Sequence, residues 1–344
     1  MSDVATAGST KGAATRESAE PERAELRLER HRVELTGYCY RMLGSAFEAE
    51  DAVQETMVRA WRALDRFEGR SSLRSWLYRI ATNVCLDMLG GSRRRARPMD
   101  LSSPSGAENP PGPALPETAW VEPMPSGRIL PGGDPAETAV TRESVRLAFV
   151  AALQHLPPRQ RAVLILREVL AWRASEAAEL LGTTVASVNS ALQRARATLA
   201  SAEITVGEIA AHGSTDSMDE EQRALLARYV SAFESYDLDA LTAVLHDDAT
   251  LSMPPYELWL RGHADIRAWL TGHGAGCRGS RLIPVTANGC QAFGQYRPDP
   301  DGGFSPWALQ VVEVSGGRIT ALNAFLDTAR LFPLFGLPAR LAAR

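Results

Sequence analysis

Between Arg59 and Arg97 the chain carries ten arginines against three acids, Asp65, Glu68 and Asp87. Inside this stretch, F-E-G-R-S-S-L-R-S-W-L-Y-R-I-A-T-N-V-C-L-D (Phe67 to Asp87) sets Arg70, Arg74 and Arg79 among the hydroxyls of Ser71 and Ser72, with Trp76 and Tyr78 nearby. Guanidinium groups neutralise phosphates, and aromatic side chains can cradle bases that have left the stack. For Trp76 and Tyr78 a core position competes with that role and is the stronger reading. A second constellation lies further on, at Ser187, Asn189, Ser190, Gln193, Arg194 and Arg196. Asn and Gln can pair bidentately with adenine edges and Arg with guanine, which is how duplex sequence is read in the major groove. A third is acidic: from Arg30 to Val58 five acids face three arginines, and Asp51, Gln54, Glu55 and Arg59 fall on or near one helical face. An acidic surface beside a basic one implies two different partners.

The elements that position these groups follow from apolar spacing. Ala49, Val53, Met57 and Ala60/Trp61 predict one buried stripe on a helix from about Glu48 to Leu64, with the acidic group opposite. Ala174 to Leu181 predicts the first helix of a helix-turn-helix, Gly182 its tight turn and Thr184 the N-cap of the second helix. Ala177, Leu180, Leu181, Val185, Val188 and Leu192 would pack the pair, leaving Ala186 and the second constellation exposed. Pro158 suits the first turn of the helix before it.

At 344 residues there is room for two or three domains. The net charge of −4 excludes a uniformly basic nucleic-acid coat, so basic function must be local. Lys11 is the only lysine, a bias that reads as codon usage before it reads as function. Cys39, Cys85, Cys277 and Cys290 lack C-x-x-C spacing, which points to neither a zinc site nor a disulfide framework; no cofactor or metal is expected. With no long apolar run and no amino-terminal signal pattern, a cytoplasmic protein away from membranes is expected.

The expected division is a disordered start at 1–22, a helical domain at 23–97, a linker at 98–140, a second helical domain at 141–202, a joint at 203–217 and an α+β domain at 218–335. The linker is called extended because ten of the 21 prolines fall between 98 and 135. In the last domain, helices at about Met218–Tyr236, Leu238–Leu245 and Ala264–Thr271 alternate with strand-like runs. Those runs are about Ala249–Met253, Glu257–Arg261, Arg281–Val285, Gly289–Tyr296, Trp307–Val314 and Arg318–Leu326, with glycine turns at Asp301-Gly302-Gly303 and Ser315-Gly316-Gly317.

The order of these residues resembles region 2 of extracytoplasmic-function sigma factors, the small sigma-70-family initiation subunits of bacterial RNA polymerase. That resemblance implies that Asp51, Gln54, Glu55 and Arg59 contact the clamp helices of the largest polymerase subunit. It also implies that the following segment melts and reads the −10 promoter element, through Phe67, Arg70, Ser71, Ser72, Arg74, Arg79 and Asn83. L-P-P-R-Q-R-A-V-L-I-L-R-E and the helix-turn-helix resemble sigma region 4, which places Ser187, Asn189, Ser190, Gln193, Arg194 and Arg196 at the −35 element. A-S-E-A-A (Ala174 to Ala178) departs there from the Y-x-E-I-A of many relatives. Trp120-Val121-Glu122-Pro123 resembles a linker motif of sigma factors that carry a carboxy-terminal extension.

The segment from Met218 to Leu334 resembles the cone of nuclear transport factor 2-like, SnoaL-like domains, on L-x-x-Y-V-S-A-F-E-S-Y-D-L-D-A-L-T-A-V-L-H-D-D-A-T-L-S-M-P-P and G-G-R-I-T-A-L-N-A-F-L-D. The expected fold is therefore two all-α domains plus an α+β cone, and the resemblance implies control of activity in cis. Such cones enclose pockets, and a small-molecule ligand there would meet Tyr229, Phe233, Met253, Tyr256, Trp259, Trp269, Trp307, Asn323, Phe325 and Asp327. Asp301-Gly302-Gly303-Phe304 resembles the glycine-rich loop of one such group, with Phe304 in place of a glycine. Two other functions compete with this one. A ligand-controlled one-component helix-turn-helix regulator leaves the acidic face and the Phe67–Asp87 run unexplained. A cyclase or isomerase would need Asp327, Asp248 or His246 as acid or base, where capping or surface positions are the stronger account.

Overall fold

The computed structural model of the chain describes residues 26–91, 94–130, 142–201 and 220–343. The expected disordered start and the 203–217 joint lie outside the described residues, as do Arg93 and the end of the linker.

The first domain is built on α1 (Arg32–Leu43), α2 (Ala46–Ala63) and α3 (Leu73–Met88). Gly44, at φ 72°, stops α1 in the left-handed conformation, and Ser45 then caps α2 by accepting from Glu48 N. Ser72 caps α3 in the same way through Ser75 N. The stripe Ala49, Val53, Met57 and Ala60 is buried as the spacing predicts. Trp61 is a correction: it is 60% exposed, because one further residue turns it about 100° off the stripe that Ala60 continues.

After a short helix α4 (Ser126–Ile129), the second domain comprises α5 (Leu147–Leu153), α6 (Pro158–Leu164) with a π turn at Ile165–Val169, α7 (Ala174–Leu180) and α8 (Val185–Ser201). Pro158 occupies the first turn of α6, and Gly182 makes the turn of the α7–α8 pair at φ 60°. Thr184 Oγ1 accepts from Ser187 N at 3.1 Å, capping α8. Ala177, Leu180, Val188 and Leu192 are buried, but Val185 is 43% exposed and does not pack the pair as predicted. It sits in the first turn of α8, ahead of the point where the two helices meet.

The third domain holds α9 (Glu220–Ser235), α10 (Leu238–Val244), β1 (Leu245–Ser252), β2 (Trp259–Arg261), α11 (Gly262–Thr271), β3 (Arg281–Ala287), β4 (Cys290–Pro298), β5 (Phe304–Ser315), β6 (Arg318–Phe325) and α12 (Thr328–Leu334). The sheet order is β2-β1-β6-β5-β4-β3, parallel only between β1 and β6. Asn288 and Gly289, both at positive φ, form the two-residue hairpin between β3 and β4. One apolar cluster fills the concave side of the sheet with Tyr229, Phe233, Trp269 and Phe293. The other runs without a break from Leu35 and Tyr40 through Met124, Val150 and Leu164 to Ala292, Leu309 and Phe332. The outer face of the sheet is thereby welded to both helical domains.

The linker is not the extended segment its prolines suggest. Ala96 pairs with Trp120, through Ala96 N to Ala119 O (2.8 Å) and Val121 N to Ala96 O (3.1 Å), closing residues 97–119 into a loop. Trp120, Val121 and Met124 are buried at its base.

Candidate nucleic-acid interface

Because the inner side of α2 is committed to the core, Asp51, Gln54, Glu55 and Arg59 all stand exposed on the other side. Arg59 Nε donates to Glu55 at 2.7 Å, one turn away, and lies 3.8 Å from Asp87 on α3. Val58 and Trp61 continue this outward surface, so an exposed indole stands beside the acids. Sequence reasoning missed it by counting Trp61 with the stripe; the doubled Ala60/Trp61 position was the available signal.

The basic run divides in two. Phe67 is half-buried and stacks on Trp76 at a centroid distance of 5.0 Å, fixing the loop that carries Arg70, Ser71 and Ser72. Arg70 is exposed and pairs with Glu68 (2.6 Å), and Asn83 is exposed on α3. Arg74 and Arg79 are engaged elsewhere. Arg74 donates to Glu34 at 2.7 Å and lies over the rings of Tyr78 (5.3 Å) and Trp172 (5.5 Å). Arg79 donates to the carbonyl of Glu179 on α7 at 3.3 Å. Tyr78 is fully buried against Trp172, and burial pushes its hydroxyl far above the ordinary tyrosine range. The core position holds for Tyr78, whereas Trp76 is only partly covered.

These contacts belong to a seam between the two helical domains. Arg41 donates to Ser144 and Arg161 to the carbonyls of Met42, Gln154 and Leu156, both guanidiniums buried. Burial lowers each to about 10. On α8, Ser187, Asn189, Gln193, Arg194 and Arg196 are exposed and Ser190 half-exposed. Arg194 donates to Ser190 at 2.6 Å and Arg196 pairs with Glu168. The polar face of α8 is open, while the arginines of α3 are partly covered.

The pocket residues of the third domain do not converge. Tyr229, Phe233 and Trp269 pack in the concave core with Phe293, and Tyr229 Oη donates to Gln310 at 2.6 Å. Phe325 belongs to the opposite cluster, because alternate strand positions face opposite sides. Asn323 is buried between Ser252 and Glu313. Trp307 is 37% exposed under the Arg297 guanidinium, 3.2 Å from its ring centroid. Trp259 is held by the linker, and Asp327 caps α12 through Arg330 N. His246 and Asp248 are exposed; Asp248 pairs with Arg261 at 3.3 Å. The glycine loop holds residues 340–341: Phe304 N donates to Leu341 O at 2.9 Å and Arg340 to Gly302 O at 2.9 Å. Gly303 allows this approach, since a Cβ there would stand 2.4 Å from Leu341 O.

Sequence reasoning missed the interdomain node at Asn288. Its side chain donates to Tyr40 Oη (2.6 Å) and Val145 O (2.7 Å) and accepts from Met124 N (2.9 Å), joining all three domains and the linker. The Asn-Gly pair signals a hairpin but not what the hairpin touches. Among the described residues no group of three or more His, Cys, Asp or Glu could hold a metal, and no helix is long and apolar enough to cross a membrane.

Comparison with known proteins covers all three domains. Residues 28–95 match sigma-70 region 2, 146–199 sigma-70 region 4, and 226–322 a SnoaL-like domain. The chain is 45% identical over 335 residues to the ECF RNA polymerase sigma factor SigG of Mycobacterium tuberculosis (strain ATCC 25618 / H37Rv), covering 94% of this chain and 86% of that one. It is 27% identical over 303 residues to SigJ of the same strain, covering 85% of this chain and 88% of that one. The crystal structure of Mycobacterium tuberculosis SigJ superposes with a TM-score of 0.55 at 23% identity, covering 94% of this chain and 99% of that one, a likeness of fold.

Proposed function

The chain belongs to the extracytoplasmic-function RNA polymerase sigma factors, which bind core polymerase and promoter DNA to start transcription, and we propose how its surfaces divide that work. The outward face of α2, with Asp51, Gln54, Glu55 and Arg59, docks on the clamp helices of the largest polymerase subunit. The loop and helix from Phe67 to Asn83 capture and melt the −10 element, with Arg70, Ser71, Ser72, Arg74 and Arg79 on phosphates and unstacked bases. Ser187, Asn189, Ser190, Gln193, Arg194 and Arg196 on α8 read the −35 element as duplex. The third domain controls this activity in cis and is regulatory rather than catalytic.

The observation that supports the reading is that the polar residues of α2 and α8 stand exposed opposite buried stripes and that Arg70 and Ser72 stand exposed on the loop before α3, while Arg74 and Arg79 must first leave Glu34 and Glu179. Asp51→Ala with Glu55→Ala should weaken binding to core polymerase at least about tenfold while leaving thermal unfolding unchanged. Fluorescence titration of labelled chain with core enzyme measures it, and unaltered affinity would remove α2 from the interface. In vitro transcription with the full chain, and with a chain ending before Met218, tests control in cis: the two should differ in promoter-specific transcript at equal occupancy of core.

A further inference from the structure

The loop closed at Ala96 and Trp120 has an occupied tip. Ser105 N donates to Trp259 O at 2.8 Å and Trp259 Nε1 returns a bond to Ser102 O at 2.9 Å. Leu115 N donates to Pro255 O at 2.9 Å, Ser102 Oγ to Glu257 O at 3.3 Å, and His273 Nε2 to Glu108 O at 3.1 Å. Between them Ala107, only 7% exposed, enters the concave core that contains Tyr229 and Trp269. Residues 102–115 therefore lie as a strap over one end of the cone, its mouth, formed by the β1–β2 loop, β2 and the segment after α11, and are held largely through their backbone.

Where the strap lies bears on the distance available between α3 and α8. In this conformation they belong to domains in direct contact, through Arg79 and Glu179. The −10 and −35 elements are about 25 base pairs apart, roughly 85 Å of duplex. With the linker docked as far as Leu130, only residues 131–141 remain between the domains, an extended reach of at most about 40 Å. Freeing 121–130 as well brings the reach to about 75 Å, still short of that span. Opening the Ala96–Trp120 loop adds roughly 80 Å more.

We propose that the mouth of the cone is a peptide-binding site whose ligand is the chain's own linker, residues 102–115, and that release of this strap supplies the reach for simultaneous occupation of both promoter elements. The proposal rests on the two-element reading of α3 and α8 given above. It makes the cone a reel: what it holds is length of tether.

A photocrosslinking benzoylphenylalanine in place of the exposed Glu108 in the full chain reports where the strap lies. In the free chain it crosslinks within the C-terminal domain. In complexes with core polymerase and promoter DNA that yield transcript, that crosslink falls at least about fivefold and partners outside the cone appear. Retention of the internal crosslink in transcribing complexes overturns the proposal while leaving the promoter reading intact. Failure of the wild-type chain to use two promoter elements, seen by footprinting, overturns the reading and the proposal with it. In the free chain Ala107→Arg places a charge in the mouth and Ser105→Pro removes the donor to Trp259, and each lowers the internal crosslink at least fivefold. Near-ultraviolet circular dichroism verifies that the fold survives in each; an unchanged crosslink in a folded variant overturns the site.

Discussion

The carboxamide of Asn288 has no exposed surface and spends its polar atoms outside its own domain, on Tyr40, Val145 and Met124. Its backbone stands at φ 54°, so Asn288→Ala would mix backbone strain with the lost contacts. Asn288→Gly removes the side chain without backbone strain, at the entropic cost any added glycine carries. It should destabilise the chain by about 2–3 kcal/mol, since a buried hydroxyl, carbonyl and amide each lose a partner; urea unfolding measures it, and a change below about 0.5 kcal/mol would deny the node its role. His155 offers a second test. Desolvation, then Arg94 at 3.0 Å, lowers its pKa below 6.5. The unfolded chain thus takes up the proton first, so this contact loses stability as pH falls from about 6.5. His155→Gln should flatten that dependence, read as the difference in melting temperature from wild type between pH 8 and pH 5. Neither residue belongs to a motif, and nothing in the sequence singled out Asn288, because its partners are 143 and 248 positions away.

At the scale of elements, α2, α7 and α8 were legible because a 3.6-residue apolar period, a turn glycine and a hydroxyl cap are local signals, and the misplacements fall where locality ends. Trp61 and Val185 are apolar positions at the edge of a stripe, and which side they take is decided by what packs opposite. The linker was read from its prolines as extended, yet its burial depends on surfaces far along the chain. Asp51, Gln54, Glu55 and Arg59 were found correctly as one exposed group, whereas the supposed pocket mixed residues from both faces of a sheet. Gly37 shows how an element can be constrained by such a seat. It lies within α1, where alanine would gain up to about 1 kcal/mol of helix propensity. A Cβ there would stand 2.8 Å from the carbonyl of Ile129 on α4, which is backbone and cannot swing aside. The clash should win, so Gly37→Ala is expected to destabilise the chain by about 1–3 kcal/mol net, measured by the urea midpoint. A stabilised variant would mean that α4 is not seated on α1.

At the scale of the molecule, the middle of β5 is buried on both sides: Leu309 and Val311 join the cluster of the helical domains, while Val312 faces the cone interior. Two-sided burial of a mostly antiparallel sheet is the mark of a domain fixed to its neighbours. The seam of the helical domains, in turn, is completed from outside, since Tyr40 and Met124 bond to Asn288 and Arg330 reaches Glu122 at 3.2 Å and lies over Phe47 at 4.1 Å. Two guanidiniums, Arg41 and Arg161, are buried in that seam at a desolvation cost that lowers each pKa to about 10. A chain ending before Met218 would lose the outer supports and keep the costs. Its amides from Tyr38 to Leu43 should exchange with solvent at least tenfold faster than in the full chain, and its radius of gyration should grow as the helical domains part. Hydrogen exchange and small-angle scattering on the two chains decide it. Equal protection would place the whole of the closed state within the helical domains and leave the cone as a passenger.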